Sequence, residues 1–335
     1  MNKILDEDIE NFTLSKEFKA ILDGAVICVT GATGLIGSIL VKCLAASVGN
    51  LKFILPVRNA EKARQVFSDL NSVEIVQSDL SEFFDGYHGD IDYIIHCASP
   101  TDGRYMQSCP AETFMLPVET TKSICEFSRR NHVRSIVYLS SIEYYGENHN
   151  DNLIGEDFIG PIDRLSARSS YPLGKRAAEY LTVCYAKEYG VPIKIARPTQ
   201  TFGAGISPND NRVFAQFARS VRNGKDIILH TNGHSSKPYC YTTDCVMALI
   251  HILLKGANGE AYNIATPDTY ISILGMATML KDRFNNDINV IIELDNSKGY
   301  APETQLNLSS QKLISLGWKP EYNLIQMFDR LIKSL

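Results

Sequence analysis

Three residues of this chain have the types and spacing for proton exchange with a hydroxyl or carbonyl. Ser141 stands at the end of the apolar run Ser135 to Ser140, and Tyr171-Pro172-Leu173-Gly174-Lys175 begins 30 positions later. On a helix, Tyr171 and Lys175 lie one turn apart. A phenol with a pKa of about 10 is a poor base at neutral pH, but an adjacent ammonium favours phenolate and is expected to lower that value. Tyr171 would then exchange the proton while Ser141 hydrogen-bonds the same oxygen. Alone, Y-x-x-x-K is also a common surface helix pair, so its meaning depends on what surrounds it.

The surroundings include a glycine-rich turn. Thr30-Gly31-Ala32-Thr33-Gly34-Leu35-Ile36-Gly37 follows the apolar run Val26 to Thr30 and opens a helical pattern. Glycines there let the backbone approach a pyrophosphate, which sits on the free N–H groups of the following helix. Gly31, Thr33, Gly34, Leu35, Ile36 and Gly37 form the expected cradle; a tight turn without ligand is the plainer reading. The spacing is G-x-x-G-x-x-G, wider at its start than G-x-G-x-x-G. Lys175 would then also hold the nicotinamide ribose. Where an acid would bind the adenosine ribose, the chain has Pro56-Val57-Arg58-Asn59. Arg58 could pair with a 2′-phosphate and so favour NADP over NAD, or be an ordinary solvated arginine. Asp79, followed by Leu80, could accept from the adenine amino group or simply occupy a polar turn.

Such groups need a scaffold. From Ala25 to about Ala196, buried β-branched runs (Val26 to Thr30, Phe53 to Val57, Val73 to Gln77, Tyr93 to Cys97, Ser135 to Ser140, Ile193 to Ala196) alternate with amphipathic stretches. Continuous rather than alternating apolar character predicts a doubly wound parallel sheet, a Rossmann α/β fold. Beyond Arg197 come a Gly/Pro/Asn-rich loop, a helix over Arg212 to Arg222, and short strands near Ile227 to His230 and Tyr239 to Tyr241, a smaller α+β region. The expected division is 1–22, a helix packed on the outside; 23–197, the dinucleotide-binding domain; and 198–335, a second binding region partly interleaved with the first.

Composition narrows the classes. Over 335 residues, 33 Lys plus Arg against 38 Asp plus Glu give a net charge of −5, with no overall attraction to nucleic acid or an acidic membrane face. The eight cysteines form no C-x-x-C pair and read as reduced packing residues. No apolar run is long enough to span a membrane, and the acidic start is unlike a signal peptide, so a cytoplasmic protein is expected. The seven histidines lack metal-ligand spacing, His96 reads as a structural histidine, and no G-x-S-x-G elbow is present.

These motifs resemble the extended short-chain dehydrogenase/reductases, specifically the nucleotide-sugar epimerase/dehydratase family, over nearly the whole length. Gly31 to Gly37 matches its glycine motif. Ile95-His96-Cys97-Ala98-Ser99 resembles the H-x-A-A segment along the cofactor, which implies cofactor contacts at Cys97, Ala98 and Ser99. Ser140 to Gly146 resembles S-S-x-x-V-Y-G, putting Ser141, Tyr171 and Lys175 in the catalytic positions. Arg197 to Gly203 is similar to R-x-x-N-x-Y-G-P, implying Pro198 beside the cofactor and Gln200, in place of Asn, beside the substrate. Asp210-Asn211-Arg212-Val213 resembles the D-G-R-V of sugar decarboxylases, and Leu316 to Pro320 the C-terminal L-G-W-x-P. Lys237 stands where many relatives have an Arg for the nucleotide diphosphate, and it gives charge without a bidentate fork; Arg212 would share that load. Thr101 is a further implied substrate contact.

The resemblance gives Glu143 its meaning. Epimerases of the family usually have a small or hydroxylic residue two places after the catalytic Ser or Thr, whereas dehydratases and decarboxylases often have Glu. Oxidation at C4 acidifies the C5 hydrogen or makes a uronic acid a β-keto acid, and a carboxylate near C5 can move the proton. The dehydratase Asp–Glu pair is incomplete here because Ile142 takes the Asp position. The expected enzyme is therefore an NAD- or NADP-dependent, homodimeric nucleotide-sugar enzyme of the epimerase, decarboxylase or dehydratase type acting through C4 oxidation, with epimerase or decarboxylase ranked ahead of a complete 4,6-dehydratase because of Ile142. The rivals are an NADPH-consuming 4-keto sugar nucleotide reductase and a non-catalytic dinucleotide sensor.

Overall fold

The computed structural model describes residues 2–100, 103–295 and 303–335. The chain opens with α1 (Lys3–Asn11) and α2 (Lys16–Leu22), then alternates through β1 (Val26–Thr30), α3 (Leu35–Ser47), β2 (Lys52–Val57), α4 (Ala60–Val66), β3 (Val73–Gln77) and α5 (Leu80–Gly86). Next come β4 (Tyr93–His96), α6 (Gly103–Ser108), α7 (Pro110–Arg130), β5 (Ser135–Leu139), a 3-10 turn (Ile142–Tyr145), α8 (Ser170–Tyr189) and β6 (Ile193–Pro198). The later part holds β7 (Gln200–Phe202), α9 (Val213–Arg222), β8 (Ile227–Leu229), β9 (Ser236–Lys237), β10 (Tyr239–Tyr241), α10 (Thr242–Lys255) and β11 (Ala261–Ile264). It closes with β12 (Ile271–Ser272), α11 (Ile273–Phe284), β13 (Val290–Ile292), α12 (Gln311–Ser315) and α13 (Leu324–Ser334).

Seven parallel strands pair in the order β3-β2-β1-β4-β5-β6-β11, the doubly wound sheet expected from the sequence. Both faces are buried, and alternate residues serve them. Ile27 and Val29 enter a core with Leu40, Leu44, Leu249 and Trp318 from α3, α10 and the C-terminal segment. Cys28 points the other way, toward Phe84, Ile124, Phe127 and Ala178 from α5, α7 and α8. The strand order reverses between β1 and β4, which opens a crevice at their carboxyl ends. A separate core of Phe202, Phe214, Ile227, Met276 and Phe328 supports the second region.

Two sequence expectations change. The first 22 residues form two helices rather than one, because Phe12 is extended and Ser15 starts α2 by accepting from the Phe18 amide at 3.2 Å. The sheet also gains β11 from far beyond residue 197, alongside β6. No helix among the described residues is long and apolar enough to cross a membrane.

Candidate active site

The glycine turn joins β1 to α3 beneath the crevice. Gly31 has φ +67°, and a Cβ there would come within 2.6 Å of the Ala98 nitrogen. A Cβ on Gly37 would stand 2.5 Å from the Gly31 carbonyl. Side chains at either position would push β1, α3 and the segment after β4 apart. Gly34 caps α3 without any side-chain bond to its first amides, so the helix presents them beside half-buried Thr33, Leu35 and Ile36. This cradle fits a pyrophosphate.

Arg58 is exposed just after β2, and Asn59 behind it caps α4. Asp79 caps α5 by accepting from the Ser81 amide at 3.0 Å, with half-buried Leu80 next. Cys97, Ala98 and Ser99 follow β4 at the crevice, and the Ala98 amide donates to Thr30 Oγ1 at 3.3 Å. His96 is structural: Thr30 Oγ1 lies 2.6 Å from Nδ1 and Thr120 Oγ1 3.3 Å from Nε2, and burial pushes its pKa down to about 3.

β5 delivers Ser141, whose hydroxyl starts the 3-10 turn by accepting from the Glu143 amide at 3.1 Å. α8 carries buried Tyr171 and Lys175 opposite it. The Ser141 and Ser99 hydroxyls lie near the Tyr171 phenol and favour its ionised form. The expected lowering by Lys175 is not found. Burial, then the Glu143 carboxylate, push Tyr171 up to about 12. Lys175 Nζ instead donates to the Leu139 carbonyl at 2.8 Å and lies 5.8 Å from the centre of the Tyr171 ring. Burial brings Lys175 itself down to about 8, with Glu179 one turn further on opposing that shift. Glu179 is held by Arg197 at 2.7 Å, which also donates to Tyr145 Oη at 3.0 Å.

The Glu143 charge acts on Lys237 as well as Tyr171, and it partly offsets the lowering of the Lys237 pKa by burial. Ile142 turns away into a small core with Tyr145, Ile154, Leu306 and Leu308. Gln200 sits on β7 opposite Tyr239, next to Pro198, the last residue of β6. Arg212 pairs with Asp210 at 2.6 Å and donates to the Thr201 carbonyl at 3.3 Å.

Residues 27–265 match the NAD dependent epimerase/dehydratase family. The chain belongs to this family. It is 26% identical to UDP-glucuronic acid decarboxylase 6 of Arabidopsis thaliana over 303 residues, covering 89% of this chain and 85% of that protein. UDP-glucuronic acid decarboxylase 1 of Danio rerio is 25% identical, covering 92% and 72% of the two chains. Among solved structures, UDP-glucose 4-epimerase of Thermotoga maritima with UDP-glucose superposes with a TM-score of 0.78 at 21% identity, covering 92% of this chain and 98% of that one. UDP-glucuronic acid 4-epimerase of Bacillus cereus, in complex with UDP-glucuronic acid and NAD, gives 0.76 at 20% identity with the same coverage.

Within this epimerase/dehydratase scaffold, the structure places Ser99, Ser141 and Glu143 near the Tyr171 phenol, with Lys175 one helical turn further on and Lys237 within reach of the Glu143 charge. Arg212 is committed to Asp210 in this state, and Thr101 lies outside the described residues. The sequence reading missed Arg168, whose charge acts on Lys237. Its position three residues before Tyr171 was the available signal.

Proposed function

We propose that the chain oxidises C4 of a nucleotide-diphosphate sugar and restores its dinucleotide within one cycle, as a 4-epimerase or a uronic-acid decarboxylase. The observation that carries this reading is the buried Tyr171 phenol near the Ser141 and Ser99 hydroxyls, with the Glu143 charge acting on both Tyr171 and Lys237. Cofactor-binding residues are Gly31, Thr33, Gly34, Leu35, Ile36 and Gly37 for the pyrophosphate, Arg58, Asp79 and Leu80 toward the adenosine, and Cys97, Ala98, Ser99, Lys175 and Pro198 toward the nicotinamide. When bound, NAD supplies a reversible hydride acceptor for C4.

Tyr171 takes the C4 hydroxyl proton and Ser141 bonds the same oxygen. Lys237, Arg212 and Gln200 hold the substrate, with Arg168 adding positive charge on the diphosphate side. Glu143 manages the proton at C5 after a 4-keto uronic acid loses carbon dioxide, a role supported by the decarboxylase relatives. The inward turn of Ile142 argues against a 4,6-dehydratase, because no acid stands there to protonate a leaving C6 hydroxyl. The working form we infer is a cytoplasmic homodimer, which sedimentation of the purified chain tests.

Exposed Arg58 favours a second reading, a reductase that consumes NADPH. Denaturing the purified protein and identifying the released dinucleotide separates the two. Stoichiometric NAD, with conversion of added UDP-glucuronic acid or UDP-glucose followed by NMR, is the expected result. An empty protein that prefers NADPH would overturn it in favour of the reductase. Tyr171→Phe should abolish turnover while sparing NAD binding; persistent turnover would refute Tyr171 as the base.

A further inference from the structure

The N-terminal helix touches the two regions whose separation decides how sugar and dinucleotide meet. α1 packs on α3, the helix that begins at the glycine turn, and on α13 at the other end of the chain. Its fully buried residue is an acid, Asp8, only 3% exposed. Asp8 accepts from Arg330 Nε of α13 at 2.6 Å and from the Tyr241 hydroxyl of β10 at 2.6 Å. The Tyr241 oxygen accepts in turn from the Ala204 amide at 3.4 Å. Leu5 packs over Gly205, where a Cβ would come within 3.2 Å of Leu5 Cδ2. One helix thus holds both β10 and the loop after β7.

Those two elements carry substrate-side residues into the site. β10 pairs with β7 so that Tyr239 lies opposite Gln200, and only Pro238 separates Lys237 from β10. A buried carboxylate is costly and needs a return. The cavity beside Asp8, lined by Asn11, Thr243 and Tyr322 among others, measures about 20 Å³, room for one water molecule. The bonds of Asp8 lead to two separate pieces of the molecule, α13 and β10, and through Tyr241 to the loop after β7.

We propose that Asp8 is a positioning residue that fixes the β7–β10 pair, and with it Gln200 and Lys237, relative to the dinucleotide turn. The proposal rests on the function assigned above. α1 is then a strap that sets the spacing between the two binding regions rather than a passive cover. The charge on Asp8 holds α13 through Arg330, and its second oxygen holds β10 through Tyr241.

The test uses the full chain and two probes, NAD and UDP, each titrated calorimetrically, with turnover of UDP-glucuronic acid and UDP-glucose measured well below the melting midpoint. Asp8→Ala should weaken UDP binding and lower kcat/KM by about tenfold, with NAD affinity unchanged within about twofold. Tyr241→Phe, which preserves the ring packing and is the safer variant for folding, should lower both by about fivefold. A lowered midpoint with UDP affinity, kcat and KM at wild-type values in Tyr241→Phe would overturn the proposal and leave the function standing. A wild-type chain that binds neither NAD nor UDP would overturn the proposed function itself.

Discussion

At the scale of single residues, the site is a set of groups whose burial works against the charge states they need. Tyr171 is pushed up to about 12, while Lys175 is brought down to about 8 and donates to the Leu139 carbonyl. Because the lowered lysine loses its proton near pH 8, activity should fall as pH rises through that value. Lys175→Arg should remove this alkaline limb even if it slows the enzyme. A kcat/KM profile that keeps the limb in Lys175→Arg would assign the titration to another group. The residue types were legible: Ser141, Glu143, Tyr171, Lys175 and Lys237 are recognisable from spacing and motif. Their electrostatics were not, because one turn of helix between Tyr171 and Lys175 does not show that the ammonium turns toward Leu139 while the phenol sits near the Glu143 charge. Asp8 was equally hidden, since an acid among acids at the chain start reads as solvated.

Among the elements, the strands were readable where burial on both faces enforces an unbroken β-branched run, as in β1, β5 and the start of β6. β11 escaped because Ala261-Tyr262-Asn263-Ile264 interrupts its apolar run with Asn263, whose buried amide is used to bond the Ser309 carbonyl at 2.9 Å and the Tyr145 hydroxyl at 2.5 Å. The break between α1 and α2 escaped because Ser15 as an N-cap competes with an apolar pattern that runs through it. The β1–α3 turn makes the sharpest prediction at this scale. Gly31→Ala adds a Cβ against Ala98 and forces a side chain into φ +67°, so it should cost about 1–3 kcal/mol of stability and abolish measurable NAD binding. Calorimetric titration and a urea melt check both, and NAD binding at wild-type strength would remove the cradle from the assignment.

For the molecule as a whole, His96 ties the centre of the sheet to pH. It accepts and donates within a closed pair of threonine hydroxyls, and its folded pKa of about 3 lies below the value of about 6.5 expected for an unfolded chain. The neutral ring is favoured by folding, so its contribution is complete above about pH 6.5 and declines by about 1.4 kcal/mol per pH unit as pH falls from there toward the folded value. Urea melts between pH 7 and 5 should show a shallower dependence in His96→Gln; parallel profiles would exclude the ring as the cause. The strap across the two binding regions has a different consequence, in time rather than in energy. Asp8 and Arg330 are 322 residues apart, so a chain emerging from the ribosome can lay α1 on α3 early, yet Asp8 waits for its counter-ion until Arg330 has been made. The closing of this pair should come late in folding, and a copy cut short before Arg330 would carry an uncompensated acid in its interior, marking an incomplete product for degradation.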